Sequence, residues 1–433
     1  MKKVLIVSPN WPPLTYPDQH RARLACAHLR EFGWEPLVLA LDPREQIGPR
    51  EPLLEETLPP DLRVWRSGAL PRALLAPFGV RNAGLRAHLH LARLGAEIIR
   101  SERPAAAFFT TTMFSVFTLG PRWRRRYGLP YVLDYQDPWV SEAPLAGAGW
   151  KRRLVDRLAR RQEPAVLRGS AHVVSVSPAY PQALRARHPE LPPGHFTVLP
   201  FGVSASDFRL ALRAGQDVFD PRDGHEHWVY AGRGGADLAP AARAFFDALA
   251  KVRRQDAARI ARVRVHLVGT DYAAGAAGGH LSFAPIAREC GVADLVDERP
   301  ARLGYLSSLR CQQDASALIV FGSTDPGYAA SKLLPSLLAR KPLLVLAQDA
   351  GPMAQAVRSL GGGTLVAMRG SAILDEHSAE ALRGWFTGSA RSLPAVDMEA
   401  LERHSARAMT KTLADIFDRC VANGAQGVAA HPR

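Results

Sequence analysis

The chain has 433 residues, of which 47% are apolar and 22% are charged. This balance is ordinary for a folded soluble protein and excludes a disordered chain. The length predicts two large domains or three average ones, each long enough to bury a full core without disulfides or metals.

The cysteines and the first residues favour a cytoplasmic protein. The four cysteines lie far apart and form no CxxC pair, which excludes a disulfide scaffold and a cysteine zinc site. The apolar run before Ser8 is shorter than the roughly 7–15 residues of a signal peptide. The longest uncharged stretch, from Pro104 to Pro121, is shorter than the roughly 20 residues of a membrane span. We therefore expect no transmembrane helix.

Positive charge is concentrated in the first half of the chain. Residues 1–200 contain 28 Lys and Arg against 17 Asp and Glu, a difference of +11, whereas the remaining residues contain 27 against 24, a difference of +3. A basic first half fits an anionic partner: a lipid surface, a nucleic acid or a phosphorylated substrate. A general bias toward arginine is the alternative explanation.

Short apolar runs alternate with helix-length segments in the first half, which is typical of βαβ units and a parallel sheet. The predicted strands are Val4–Val7, Pro36–Leu41, Leu62–Trp65, Ala105–Phe109, Pro130–Tyr135, His172–Val176 and Phe196–Leu199. The predicted helices are Arg21–Phe32, Arg81–Arg100, Phe114–Arg126, Trp150–Arg168 and Pro178–Ala186.

A second alternating series follows a segment rich in Pro, Gly and Asp that contains the predicted domain boundary. Its predicted strands are His227–Ala231, Val263–Val268, Ala315–Phe321, Pro342–Ala347 and Thr364–Ala367. Its predicted helices are Pro240–Arg254, Leu303–Arg310, Ser331–Arg340, Met353–Leu360 and Glu380–Phe386. We predict an α/β protein with two doubly wound, Rossmann-like domains, 1–205 and 206–397, that face each other across a cleft. A last helix (398–422) and a tail (423–433) follow.

The first strand leads into a loop without the G-x-G-x-x-G motif, which argues against an ordinary NAD enzyme. This loop, from Ser8 to Pro13, either lines the cleft or is a plain proline-stiffened loop. Arg21 opens the next helix, where its charge opposes the helix dipole. It therefore needs an anionic partner or solvation, and solvation is the more common outcome.

Two carboxylates, Asp134 and Asp137, end the buried strand YVLDYQD and are followed by a Pro-Trp turn. The carboxyl end of a parallel strand faces the ligand crevice. Asp137 is therefore predicted to orient a sugar hydroxyl or to act as a general base. The alternative is that it caps the following turn.

Two basic motifs in the second half point to a diphosphate. Gly232-Arg233-Gly234 joins a strand to a helix, so that free backbone N–H groups and the guanidinium can hold phosphate oxygens. Lys332, next to Ser331, lies against the dipole of a later helix, and a bound anion explains it better than solvation. Placed opposite Arg233, it would clamp one diphosphate. An ordinary strand-to-helix turn and a solvated lysine are the alternatives.

Other motifs are absent or weak. There is no G-x-S-x-G, Walker lysine loop or D-x-D pair, and the His-x-His pairs lack further ligands, so we expect no metal. Two basic clusters with interleaved aromatics, Arg122–Arg126 and Trp150–Arg153, suit a membrane interface, an RNA or a solvated face.

Taken in order, these features resemble the GT-B glycosyltransferases, in particular glycosyltransferase family four. The similar segments cover Met1 to about Val366 and are VLIVSPNWPP, YVLDYQDPW, AHVVSVS, VLPFGVSASDF, WVYAGR, HLVGT and SKLLPSLLARKPLLVL. VLPFGVSASDF departs from the family at Phe201, where Asn is usual, and at Ser204, where Asp is usual. Pro335 stands where the family commonly has a glutamate that holds the donor.

The resemblance implies a retaining transfer of a sugar from a nucleotide sugar, without a metal or a cofactor. Arg233 and Lys332 would neutralise the leaving diphosphate, Gly232 would let the backbone approach it, and Asp137 would lie on the acceptor side. The last helix would cross back to the first domain.

The resulting prediction is a hexosyltransferase-like enzyme of cell-surface polysaccharide synthesis. It would use a UDP- or GDP-linked donor and a lipid-linked or polysaccharide acceptor at the inner face of the cytoplasmic membrane, with no nucleic-acid partner. The predicted catalytic residues are Asp137, Arg233 and Lys332. The predicted donor-binding residues are Gly232, Arg233, Gly234, Ser331, Lys332 and Asp349. The predicted acceptor-side residues are Asn10, Asp18, Arg21, Asp134 and Asp137.

Three alternatives stay open. One is a catalytically silent partner that binds sugar nucleotides, which Pro335 favours. The second is a nucleotide-sugar 2-epimerase on the same fold, which should carry several carboxylates and histidines in the cleft. The third is an RNA-binding protein that uses Arg122–Arg126.

Overall fold

A computed structural model of the chain describes residues 1–75, 82–140, 149–271, 279–325, 327–328, 330–370, 373–389, 391, 393 and 395–429. The chain forms two compact units. The first contains Met1–Gly202 and Ser405–Arg433, and the second contains Val203–His404. The division lies three residues before the boundary predicted after residue 205.

The first unit is built on a seven-stranded parallel sheet with the order β3-β2-β1-β4-β5-β6-β7. Its strands are β1 (Lys2–Val7), β2 (Trp34–Leu41), β3 (Arg63–Ser67), β4 (Ala106–Thr110), β5 (Tyr131–Tyr135), β6 (His172–Ser175) and β7 (Phe196–Val198). Its helices are α1 (His20–Cys26), α2 (Arg72–Leu75), α3 (Ala83–Glu102), α4 (Leu119–Tyr127), α5 (Trp150–Gly169) and α6 (Ala179–Arg187). Apolar side chains cover both faces of the sheet, as expected when helices flank it on both sides.

The second unit repeats this plan with the strand order β10-β9-β8-β11-β12-β13-β14, of which only the β13–β14 pair is antiparallel. Its strands are β8 (Glu226–Ala231), β9 (Val263–Val268), β10 (Val296–Arg299), β11 (Ala317–Phe321), β12 (Leu343–Gln348), β13 (Thr364–Arg369) and β14 (Ile373–Leu374). Its helices are α7 (Ala205–Ala211), α8 (Ala239–Gln255), α9 (Ala257–Ala261), α10 (Ala284–Glu289), α11 (Tyr305–Asp314), α12 (Leu333–Leu338), α13 (Pro352–Leu360), α14 (Glu376–Thr387) and α15 (Met398–Glu402). The predicted fold class, two doubly wound α/β units, is confirmed.

The predicted last helix is two helices in two units. α15 ends at Glu402 in the second unit, and α16 (Ala406–Ala429) returns to the first. Phe417 of α16 packs against Trp34 and Phe108, with ring centroids 5.4 and 5.5 Å apart. The helix backbone continues to Ala429, so the tail predicted from residue 423 was wrong over most of its length. The predicted return of the chain to the first unit is confirmed.

Several elements differ from their predicted lengths. The predicted helix Arg21–Phe32 is an α-helix only to Cys26, and a 3-10 turn then ends at Gly33, where φ is +80°. Sequence analysis missed β10, β14 and several short helices. One of them, α7, begins where the Ser204 hydroxyl accepts a hydrogen bond from the backbone N–H of Asp207.

Candidate functional site

A buried polar network lies at the carboxyl ends of β1, β4 and β5 in the first unit. Asn10 Nδ2 donates to both carboxylate oxygens of Asp18 at 2.8 and 3.0 Å. The backbone N–H of Thr112, just after β4, donates to Asp18 Oδ2 at 3.0 Å. Burial raises the pKa of the Asp18 carboxyl, although these hydrogen bonds oppose the shift. Asp18 therefore joins the loop after β1 to the loop after β4.

Arg21 and Asp134 form a second part of this network. Arg21 Nε donates to Asp134 Oδ2 at 2.8 Å, and neither side chain is exposed. Arg21 Nη2 also donates to the Leu199 carbonyl at 2.7 Å. Gln136 Nε2 donates to Asp134 Oδ2 at 2.7 Å and to the Asp18 carbonyl at 3.0 Å, which connects the two parts.

The structure thus brings together four of the five predicted acceptor-side residues, but in the core. These four, Asn10, Asp18, Arg21 and Asp134, are at most 3% exposed. The expectation that solvent, the more common partner of such a charge, surrounds Arg21 was wrong. Its anionic partner is internal, because α1 packs its first turn against the end of β5. Gln136 also belongs to this network. Sequence analysis missed it, because no local motif shows that its side chain donates a hydrogen bond to Asp134.

Asp137 differs from these four residues because its side chain is exposed. It lies two residues beyond the end of β5, and Trp139 follows it with a partly buried ring. Of the predicted acceptor-side residues, Asp137 is therefore the one with an exposed side chain.

In the second unit, neighbouring atoms leave no room for side chains at Gly232 and Gly234 after β8. An ideal Cβ on Gly234 would lie 2.2 Å from Ser282 Oγ and 2.8 Å from the Thr270 carbonyl oxygen. The Gly232 N–H donates to the Val268 carbonyl, and the Gly234 N–H donates to the Thr270 carbonyl. The prediction of free N–H groups at these two glycines was therefore wrong, because both continue the pairing of β8 with β9.

Arg233 is held in place at the same edge of the sheet by Asp237. Its guanidinium donates to both carboxylate oxygens of Asp237, at 2.8 and 2.6 Å, and lies 4.8 Å from the centroid of the Tyr328 ring. The Arg233 guanidinium lowers the pKa of the Asp237 carboxyl to about 2. Ser323, after β11, donates to Asp237 Oδ2 at 2.7 Å. Asp237 therefore links the loops after β8 and β11, and sequence analysis missed this role.

Lys332 is the N-cap residue of α12, which is shorter than the helix predicted over Ser331–Arg340. Burial lowers the pKa of the Lys332 ammonium, and the nearby charge of Arg302 lowers it further. An anion bound near Lys332 and Arg302 would stabilise both positive charges. Arg302, an exposed residue after β10, was missed because no local motif marks it.

The remaining predicted donor residues have different surroundings. Ser331 is exposed beside Lys332. Asp349, after β12, forms an ion pair with Arg358 of α13, whose Nη1 also donates to the Asp349 carbonyl at 2.8 Å. Asp325, another carboxylate that sequence analysis missed, lines a shallow recess between the ends of β11 and β12.

Two histidines of the second unit, His227 and His266, form a buried pair. His227 Nδ1 lies 3.0 Å from His266 Nε2, and His227 Nε2 lies 2.9 Å from Asp223 Oδ1. The ring of Phe219 stacks on both imidazoles. Across the described residues, no group of three or more His, Cys, Asp or Glu side chains is arranged to hold a metal ion.

Helix α5 carries apolar and basic side chains into solvent. Trp150, Leu154 and Leu158, spaced four residues apart, are 70%, 46% and 47% exposed. The exposed basic residues of this helix are Lys151, Arg152, Arg153, Arg157, Arg160, Arg161 and Arg168. In the part of the chain that the structure describes, no helix has the length and apolar character needed to cross a membrane.

One family model matches a large part of the first unit. Residues 19–202 match the model of the glycosyl transferase 4-like domain. The first unit is therefore similar to this domain over most of its length. No curated protein sequence matches the chain.

Solved structures share the fold of the whole chain. Sucrose-phosphate synthase from Thermosynechococcus elongatus is 15% identical with a TM-score of 0.59, covering 98% of this chain and 100% of its own. Anabaena HepE, solved with UDP-glucose, is 16% identical with a TM-score of 0.53, covering 100% of both chains. WaaG, a glycosyltransferase involved in lipopolysaccharide biosynthesis, is 14% identical with a TM-score of 0.52, covering 96% of this chain and 99% of its own. These structures confirm the predicted GT-B fold.

Proposed function

We propose that this chain, with a glycosyl transferase 4-like domain in its first unit, transfers a sugar from a nucleoside-diphosphate sugar to a lipid-linked or polysaccharide acceptor. The transfer retains the anomeric configuration and needs no metal. Arg233, Lys332 and Arg302, all near carboxyl ends of strands in the second unit, carry this proposal. Carboxyl ends of parallel strands are where doubly wound folds bind ligands, and these cations suit a diphosphate.

A UDP-linked donor is supported by the structural neighbour HepE, which was solved with UDP-glucose. In this proposal Lys332 and Arg233 stabilise the negative charge that develops on the leaving diphosphate. Gly232 and Gly234 hold the loop close to the sheet, so that the Arg233 guanidinium is presented at the edge. Asp137 acts on the acceptor in the first unit.

The acceptor side is proposed to meet an anionic membrane through α5. Exposed apolar side chains flanked by arginines are typical of helices that lie in a lipid interface. The charge of the first half, +11 over residues 1–200, suits an anionic lipid headgroup. WaaG, a neighbour of similar fold, is involved in lipopolysaccharide biosynthesis, which fits an acceptor carried by a membrane.

The test of the donor reaction begins with a screen of UDP, GDP, ADP, CDP and dTDP for thermal stabilisation. A ligand at 100 times its Kd should add about 2.7 kcal/mol of stability. The chain is then incubated with UDP- and GDP-hexoses, with and without polyprenyl-diphosphate-linked sugars, and nucleoside-diphosphate release is measured. Release that requires the acceptor and survives EDTA supports the proposal, and NMR of the product shows whether the configuration is retained.

The same experiment tests a second function, which Pro335 favours. A chain that binds nucleoside diphosphates but releases none from any sugar nucleotide would be a silent sugar-nucleotide-binding partner. Binding of none of the five diphosphates would contradict both functions.

The membrane proposal is tested by sedimentation with vesicles. Binding of the wild type to vesicles containing 30% phosphatidylglycerol should depend steeply on salt, because exposed charges are screened within about 10 Å at 0.1 M. The variant Arg152→Ser/Arg153→Ser/Arg157→Ser should bind these vesicles more weakly. Leu154→Glu should also weaken binding. The matched control, Lys251→Ser/Arg254→Ser, removes exposed charges from α8 and should bind like the wild type. Binding that is insensitive to salt and to these variants would contradict the proposal.

A further inference from the structure

An aromatic pair lies near Asp137 at the carboxyl-end edge of the sheet in the first unit. Phe114 follows β4 and Trp139 follows β5, so both come from the carboxyl ends of adjacent parallel strands. Their rings are parallel to within 10°, with centroids 5.7 Å apart. Both side chains are partly buried, which leaves part of their surface in contact with solvent.

The rings beneath hold this pair in a fixed orientation. The fully buried Phe117 ring meets Trp139 edge-on, with centroids 6.0 Å apart and planes at 84°. The buried Tyr135 ring lies 6.3 Å from Phe114 and 5.7 Å from Phe117. Offset stacked and edge-to-face contacts are the favoured geometries of aromatic pairs. The partly exposed rings are therefore presented by a rigid base, which lowers the entropy that a ligand must lose on binding.

The chemistry of this edge suits a pyranose ring. An apolar aromatic face can cover the C–H face of a sugar, while its hydroxyls require hydrogen-bond partners. Asp137, exposed and two residues before Trp139, offers carboxylate oxygens that accept hydrogen bonds from hydroxyl groups. A lipid chain would not use the carboxylate. Ligand sites commonly combine aromatic walls with a few polar groups that fix orientation.

We propose that Phe114, Trp139 and Asp137 form the subsite for the acceptor sugar, and that the group receiving the transfer is therefore a glycan hydroxyl. Trp139 packs on one face of the sugar ring, and Asp137 accepts a hydrogen bond from one of its hydroxyls. Phe114 sets the orientation of the Trp139 ring. This inference rests on the proposed function, because it defines the acceptor of that transfer.

The test uses saturation-transfer difference NMR on the full chain with the methyl glycosides of glucose, galactose, mannose and N-acetylglucosamine as probes. The wild type should bind one of them through its C–H protons. Trp139→Leu should weaken that binding at least fivefold, whereas Trp139→Tyr, which keeps an aromatic face, should weaken it less. The matched control is Trp65→Leu, which removes another partly buried tryptophan of the first unit, on β3.

Two further measurements keep the outcomes distinct. The thermal midpoint of each variant is recorded, and Asp137→Asn tests the subsite without removing a ring. Nucleoside-diphosphate binding is measured in parallel, since the residues proposed for it lie in the second unit.

Loss of glycoside binding in Trp139→Leu and Asp137→Asn, with the diphosphate still bound, supports the inference. Equal glycoside binding in the wild type and both variants, or none in the wild type, overturns the subsite. Failure of the wild type to bind any diphosphate would instead contradict the proposed function.

Discussion

The Nε atom of Arg21 donates a hydrogen bond of 2.8 Å to Oδ2 of Asp134, and neither side chain has any exposed surface. The two residues are 113 positions apart in the chain. Their pairing fixes the first turn of α1 against the end of β5, and the loop that carries Asp137 follows this strand. The pair therefore has a supporting role beneath a candidate site, and its contribution is to stability.

Arg21→Met should destabilise the protein by about 3–5 kcal/mol, because it leaves the Asp134 carboxylate buried without its charged partner. Urea unfolding measures the change. The control is Lys411→Met, which removes an exposed ion pair with Asp415 and should cost at most about 1 kcal/mol. If Arg21→Met lost acceptor binding at unchanged stability, Arg21 would belong to the acceptor-side residues after all.

Lys332→Ala and Arg233→Ala should each weaken nucleoside-diphosphate binding roughly tenfold or more, since charged hydrogen bonds contribute about 1.5–3 kcal/mol. Calorimetry measures the affinity, and Lys251→Ala, on the exposed face of α8, is the matched control. Unchanged affinity in both variants would remove these residues from the donor site.

The affinity should also depend on pH through Lys332. Burial and Arg302 lower the pKa of this ammonium below its ordinary value of 10.5, so it loses its proton earlier than an exposed lysine as the pH rises. The wild type should therefore lose diphosphate affinity at alkaline pH more steeply than Lys332→Ala, in which the ligand's own titration is the same. Identical pH profiles of the two proteins would show that Lys332 does not contact the diphosphate.

Pro335 predicts weak recognition of the sugar part of the donor, because the family that the sequence resembles commonly has a glutamate there, whose carboxylate could accept hydrogen bonds from hydroxyls. The bare nucleoside diphosphate should bind nearly as tightly as the nucleotide sugar in calorimetry. A nucleotide sugar bound a hundredfold tighter, which is about 2.7 kcal/mol, would mean that another residue supplies the contact. Asp349→Asn would test the first candidate, although Arg358 already pairs with this carboxylate.

Acid should destabilise the first unit through His172. Burial, reinforced by the charges of His195 and Arg419, lowers the pKa of His172 to about 4 from 6.5. The unfolded chain binds a proton at this residue near 6.5 and the folded chain does not, so stability falls as the pH drops from 6.5 toward 4. The loss is at most about 3 kcal/mol.

His172→Gln should flatten this pH dependence when unfolding is measured between pH 7 and 4. The comparison is His377→Gln, which changes an exposed histidine of α14 and should leave the pH dependence as in the wild type. Parallel curves for all three proteins would rule out His172 as the source of acid sensitivity.

Local sequence pattern was sufficient for the architecture. Apolar runs such as Val4–Val7 and Val263–Val268 are strands because apolar side chains on both parities suit a sheet covered on both faces. Gly33 ends the first helical segment because it adopts a left-handed conformation that costs other residues energy. Such signals lie within a few neighbouring residues, so they can be recognised before any tertiary contact is known. Short elements such as β10 were not predicted, because they contain too few apolar residues to form a recognisable pattern.

Tertiary structure alone decided which polar residues can meet a ligand. Asp134 and Asp137 are three positions apart in one motif, yet the first is buried against Arg21 and the second is exposed. Lys332 has Arg302 as its charged neighbour, although the sequence pattern paired it with Arg233. The physical reason is that burial and ion pairing depend on which strand ends and loops meet, and strands that pair in a parallel sheet are distant in the chain. The motif identifies chemistry that a residue can perform, whereas the packing determines whether its partner is a ligand or the protein itself.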